Sequence, residues 1–91
     1  MLLRTQLRHD RTRVTRIDTL IIRLLAERFK ITRHIQSLKQ AINLPIHQKT
    51  RENAVLTHAL RLGKAKKLSS AFIKNLFSLI FSYSKKDGII K

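Results

Sequence analysis

Arg28 interrupts an otherwise apolar series of residues, and Lys39 follows it eleven positions later. Eleven residues make three helical turns, so on one helix the two cations fall within about 20° of each other and about 16 Å apart along the axis. Two long cationic side chains so placed can close on a small anion from both ends. Gln48, Arg51 and Glu52, and farther on Ser84, occupy the inward stripes of other segments and add donors and acceptors to such a site. Arg11 makes a similar interruption seventeen residues before Arg28. That separation is about 25 Å on a helix, too far to reach the same small ligand from the same chain. In an antiparallel pair of helices, Arg11 would serve the neighbour's site.

Other chemistries lack their residues. His9, His34, His47 and His58 show no HExxH or comparable ligand spacing. Cysteine is absent, which removes disulfides, thiolate metal sites and thiol nucleophiles. There is no glycine-rich phosphate loop, and no nucleophile with a base and an orienting acid beside it. No cofactor is expected. What remains is chemistry done by position and charge.

Each of these polar residues also has a plain structural reading. An arginine in an apolar seam fixes register or carries its charge out to the edge. A lysine such as Lys39 is ordinarily a solvated edge residue, and an Arg51–Glu52 neighbour pair is ordinary surface decoration. The functional reading rests on coincidence: several polar groups on inward faces, in a chain whose charge seeks an anion.

The elements that must position them are helices. The apolar residues Leu7, Val14, Ile17, Ile21, Leu24, Ile31, Ile35, Leu38 and Ile42 step by threes and fours from Val14 onward, provided Arg28 fills the slot between Leu24 and Ile31. Arg11 fills another slot between Leu7 and Val14. No glycine or proline precedes Pro45, so the pattern predicts one helix over about residues 5–43. Such a helix is about 58 Å long, whereas a compact chain of this size has a radius of gyration of about 12–13 Å. One chain cannot cover it, and a second copy is expected to.

Pro45 breaks the first helix. A second helix is predicted over residues 47–62, with Gly63 as the residue just past its end. Its inward stripe reads Gln48, Arg51, Glu52, Val55, Ala59 and Leu62. Ser69 or Ser70 caps a third helix, which turns Ile73, Leu76, Phe77, Ile80 and Ser84 inward and ends near Asp87 and Gly88. The expected fold is all-α: a single domain over residues 1–91, with one very long and two shorter helices, intertwined as a homodimer.

Charge bounds the partners. Twenty Lys and Arg face five Asp and Glu across 91 residues, a formal +15 with a pI near 11.7. That balance attracts anions, whether nucleic acid, acidic membrane or a small polyanion. Aromatic residues are only 5% of the chain and no nucleic-acid reader motif occurs, which sets nucleic acid behind a small anion. The opening MLLRTQLRHD has no signal-peptide core, and no run reaches the roughly 20 apolar residues of a membrane span. A cytoplasmic protein with no membrane partner is expected.

Three blocks together resemble the all-helical (type II) chorismate mutase family: RVTRIDTLIIRLLAERFKITRHIQSLK, then LPIHQKTRE, then LGKAKKLSSAFIKNLFSLIFSYS. The most specific elements are the I-D-x-x-I-I-x-L-L-A-E-R block, the lysine eleven residues beyond it, and the P-I-x-x-x-x-R-E segment. The resemblance runs from about Arg11 to Ser84. It implies three helices per chain, a dimer with paired long helices, and the Claisen rearrangement of the dianion chorismate to prephenate. Carried over by position, Arg28 would bind one carboxylate and the partner's Arg11 the other. Lys39 would face the breaking ether oxygen. Glu52, with Arg51 beside it, would accept from the substrate hydroxyl, and Ser84 would help hold a carboxylate. An isochorismate–pyruvate lyase, similar in fold and cationic clamp, is the nearest rival. A weakly active paralogue that binds nucleic acid or protein through its basic surface is another.

Two positions depart from the family pattern. Gln48 stands where an acid is common. Gly88 stands where the family usually has Gln or Glu as a second donor to the ether oxygen, leaving Lys85, Lys86 or Asp87 as substitutes. The resemblance therefore implies a slow enzyme.

Overall fold

The computed structural model describes residues 2–45 and 49–90, the last five as backbone only. Within them the chain forms three helices and no strand: α1 (Leu2–Ala41), α2 (Lys49–Ala65) and α3 (Ser70–Ile90). The expected all-α, three-helix chain is what the structure has. It divides into two compact units, Met1–Ile31 and Thr32–Lys91.

The first unit is the N-terminal part of α1. Its threonines do not break the helix, because their hydroxyls donate to the carbonyl four residues back: Thr12 to Arg8, Thr15 to Arg11 and Thr19 to Thr15, at 2.9–3.1 Å. Leu7, Val14, Ile17, Ile21 and Leu24 are 49–63% exposed. The apolar seam is thus uncovered within this chain.

The second unit begins with the last turns of α1. Asn43 takes a left-handed φ of 60°, a conformation that asparagine tolerates better than most residues. Its N–H donates to the Gln40 carbonyl at 3.2 Å, and the Leu44 N–H donates to the Lys39 carbonyl at 2.8 Å. This pair of bonds closes the helix as a Schellman motif, and Pro45 follows. The first helix therefore ends two residues earlier than its apolar period suggests.

Helix α2 packs against α3, and its C-terminus corrects the sequence reading. Gly63 is not a terminator. It lies inside the helix, buried, where an added Cβ would meet Ile73 Cγ1 at 2.8 Å and Cδ1 at 3.1 Å. Its glycine serves a close approach of two helices. The left-handed residue that ends α2 is Lys67, at φ 62°, with Leu68 N–H bonded to the Gly63 carbonyl at 2.8 Å and Lys67 N–H to the Lys64 carbonyl at 3.1 Å. Ser69 caps α3 as expected, its Oγ accepting from the Phe72 N–H at 3.2 Å. That helix does not stop at Asp87 and Gly88 but continues to Ile90; glycine lowers helix propensity by about 1 kcal/mol without by itself forcing an end.

Among the described residues, the buried apolar ones are Ala59, Ile73 and Ile80. Val55, Leu56, Leu60, Leu76 and Phe77 are half-buried around them, and Phe77 meets Phe81 edge-on with ring centroids 5.9 Å apart. Two residues placed on the inward stripe of α2 are corrected: Arg51 is exposed, and Leu62 is 54% exposed. Leu56 and Leu60 are half-buried on α2 instead.

Candidate active site

Within residues 32–91, α1 does not turn its apolar seam toward the rest of the chain. Ile31 ends the first unit, and Ile35 and Leu38 are exposed, whereas Thr32, Arg33, Gln36 and Lys39 are half-buried. These four residues recur at helical spacing and form a polar stripe just beside the seam. Lys39 therefore belongs to a half-buried polar face. The seam proper is left free.

Opposite this stripe stands Ser84 of α3, only 9% exposed. Its backbone carbonyl accepts a hydrogen bond from the Gln36 side-chain amide, Nε2 to O at 3.1 Å. Its own hydroxyl oxygen is buried with no partner, and so is Gln36 Oε1. The next residue, Lys85, reaches α2, with Nζ 3.2 Å from Glu52 Oε2. Polar groups from all three helices thus converge around Ser84 and Lys85: Gln36 of α1, Glu52 of α2 and the two α3 residues themselves.

The electrostatics of this cluster are mixed. The Lys85–Glu52 pair is partly exposed, 39% and 25% at the side chains, so its attraction is screened and amounts to about 1 kcal/mol or less. The unpaired Ser84 hydroxyl and Gln36 carbonyl oxygen are different in kind. A buried polar atom without a partner costs about 1–3 kcal/mol, and such atoms in a native fold call for an explanation. Together the cluster offers ammonium donors, a free hydroxyl, a carboxylate and an amide oxygen. No step using a covalent intermediate is implied by that set. It can hold, orient and electrostatically stabilise a polar ligand.

The remaining expected site residues are distributed otherwise. Arg28 is half-buried and Arg11 exposed, both in the first unit. Arg51 points to solvent beside the cluster's α2 turn. Gln48 lies outside the described residues, as do the side chains of Lys86 and Asp87. Gln36 is the residue that sequence reasoning missed. It stands three residues before Lys39, and each directly follows a seam residue (Ile35 and Leu38). That shared offset is the signal that would have found it. Among the described residues, no group of His, Asp and Glu could hold a metal ion, and no helix is long and apolar enough to cross a membrane. A separate concavity of about 260 Å³ between α2 and α3, lined chiefly by Val55, Ala59, Leu62, Ile73 and Phe77, is apolar and suits no anion.

The family described as Chorismate mutase type II matches residues 10–87. The bifunctional chorismate mutase/prephenate dehydratase of Aquifex aeolicus is 42% identical over 59 residues, 65% of this chain and 16% of that protein. Proteins of the same description from Enterobacter agglomerans and Buchnera aphidicola are 34% and 36% identical over 74 residues, 81% of this chain and 19% of each relative. The chain thus spans under one fifth of the length of these relatives. No solved structure matches it significantly.

Proposed function

The chain belongs to the type II chorismate mutase family, and from that premise we propose that it rearranges chorismate to prephenate as a homodimer. The observation that carries the reading is the polar convergence around Ser84, with its buried, unpaired hydroxyl, in a chain that carries a formal +15 charge. A dianionic substrate supplies what that cluster lacks.

The reaction is intramolecular, so the protein needs neither nucleophile nor base. It must select a chair-like conformer and stabilise negative charge growing on the ether oxygen as the bond breaks. Lys39 would face that oxygen, in an interaction that strengthens only toward the transition state. Arg28 and the partner's Arg11 would hold the two carboxylates, with Ser84 assisting. Glu52, Arg51 and Gln48 would border the ring hydroxyl.

The dimer is part of the same proposal. The seam residues from Leu7 to Ile42 are 42–66% exposed in one chain, and covering each half-exposed Leu or Ile would release about 1 kcal/mol. A contiguous apolar stripe of that length is unusual on a monomer. Pairing it with a second copy would also bring the partner's Arg11 to the site. A cytoplasmic location belongs to this reading too.

The test is conversion of chorismate by the purified chain, followed by loss of substrate absorbance and identification of the product. Prephenate is expected. Pyruvate released from isochorismate, with no turnover of chorismate, would replace the mutase with a lyase. Salt-sensitive binding to arbitrary DNA or RNA, undisturbed by chorismate and without turnover, would replace it with a binding paralogue.

A further inference from the structure

The proposed mechanism uses Arg11 alone from the first turns of α1, yet those turns carry more cations than that. Arg4, Arg8 and Arg11 are exposed there and line, with Leu7, Thr12 and Thr15, a shallow groove of about 320 Å³. At 100° per residue, Arg11 lies about 40° round the helix from the seam residue Leu7, Arg4 about 60° and Arg8 about 100°. The three guanidinium groups therefore form a strip that runs from the edge of the seam out to solvent. Little opposes it. Asp10 is the one Asp or Glu among the first sixteen residues; it sits 3.5 Å from Arg13 and about 100° or more round the helix from each of the three. The next acid, Asp18, stands about 10 Å beyond Arg11 along the axis. The hydroxyls of Thr12 and Thr15 donate to the Arg8 and Arg11 carbonyls, so the donors this groove offers an anion are its guanidinium groups.

All six lining residues are exposed, so the groove is no closed site; it acts through its field. Building on the reading that the partner's Arg11 reaches the site, we propose that Arg4 and Arg8 of one subunit are the capture surface that draws the dianionic substrate to the other subunit's site. Along the axis they stand about 10 Å and about 4.5 Å from Arg11, distances comparable with the roughly 8 Å over which charges are screened at physiological salt. Their potentials therefore add to that of Arg11, raising the local concentration of a dianion and its rate of encounter. The rearrangement is intramolecular and leaves the net charge of the substrate unchanged at every stage. Cations that do not touch the ether oxygen thus attract substrate and transition state alike. Arg4 and Arg8 act on KM and leave kcat alone.

The test measures chorismate turnover by the full chain at about 0.01 M and about 1 M salt, where charges are screened over about 30 Å and about 3 Å. At low salt, Arg4→Gln and Arg8→Gln should each raise KM about threefold, the attraction of one charge for a dianion about 10 Å away in water. Together they should raise it about tenfold, with kcat unchanged. At high salt, wild type and variants should converge. Glutamine keeps helix propensity, and sedimentation checks that each variant assembles as wild type does. Arg8→Lys, which keeps the charge, should keep KM and stands against any loss of fold. Arg13→Gln removes the same charge from the opposite face and should raise KM less than either. An unmoved KM in the double variant overturns the proposal while the mutase reading stands; if that variant also loses salt-sensitive binding to arbitrary DNA, the strip serves nucleic acid instead. A matching fall in kcat, or an equal effect of Arg13→Gln, overturns it as well. Absence of chorismate turnover by wild type overturns both readings.

Discussion

Gly63→Ala isolates how closely α2 and α3 approach. The substitution adds one methyl group to a buried position 2.8 Å from Ile73 Cγ1 and 3.1 Å from Ile73 Cδ1. Ile73 is itself 5% exposed, so it has little room to yield. Overpacking of this kind costs about 1–3 kcal/mol. Against it stands the better helix propensity of alanine, worth about 1 kcal/mol in a helix interior. The difference leaves a net loss of about 1 kcal/mol, which for a domain of this size lowers Tm by about 4–8 °C. Thermal unfolding followed by circular dichroism at fixed protein concentration reads this directly. On an Ile73→Ala background both close contacts are gone, and there Gly63→Ala should raise stability through propensity alone. Stabilisation by Gly63→Ala in the wild-type background would show that the helices do not meet as described. The same variant should lower turnover, because α2 carries Glu52 and α3 carries Ser84 and Lys85, and the added methyl pushes them apart.

Four further outcomes follow from the proposed function. Lys39→Ala should cut turnover of chorismate by about 10²–10³, the range seen when an oxyanion donor is removed, with much less effect on binding of a ground-state dianion; near-normal turnover would show that Lys39 does not face the ether oxygen. Arg28→Ala should instead weaken ground-state binding and turnover together, since a carboxylate is charged throughout the reaction. Gly88→Gln should raise turnover at neutral pH by restoring a side-chain donor one turn after Ser84, together with helix propensity; an unchanged rate would mean that this end of α3 does not line the site. Sedimentation at micromolar concentration should find dimers, and a folded monomer there would remove the partner's Arg11 from the site.

Much of the fold was legible because its causes are local. The three-and-four spacing of apolar residues, the absence of Gly and Pro before Pro45 and the cap at Ser69 all act within a few residues of where they are read. The helix ends were less legible. Gly63 after the apolar Leu62 has the look of a terminator, but what requires glycine there is Ile73, ten residues later and on another helix. Lys67 in a left-handed conformation has no sequence signature at all. In the candidate site, spacing and resemblance pointed to Lys39, Glu52 and Ser84, whereas the Gln36–Ser84 contact was passed over. The seam drew attention to its own positions, and Gln36 lies one residue beside it. Arg51 shares a helical turn with Glu52, but one residue is 100° of rotation, and Arg51 is exposed where Glu52 is half-buried.

The two stripes of α1 explain why this chain is both strongly helical and thinly cored. Along residues 32–41, the apolar stripe (Ile35, Leu38) and the polar stripe (Thr32, Gln36, Lys39) run side by side, and the chain covers its polar stripe while leaving the apolar one exposed. That is the reverse of what a self-sufficient domain does. Among the described residues the buried apolar ones are Ala59, Ile73 and Ile80, too few to offset the conformational entropy of ordering some 60 residues in the second unit. A second copy on the seam would supply the missing apolar burial, and the polar stripe would then be held in place by packing it does not itself provide. On that account the unpaired Ser84 hydroxyl and Gln36 oxygen would be tolerated because the proposed interface, rather than the site, would carry the stability. The site would then be free to keep its unsatisfied groups for a ligand.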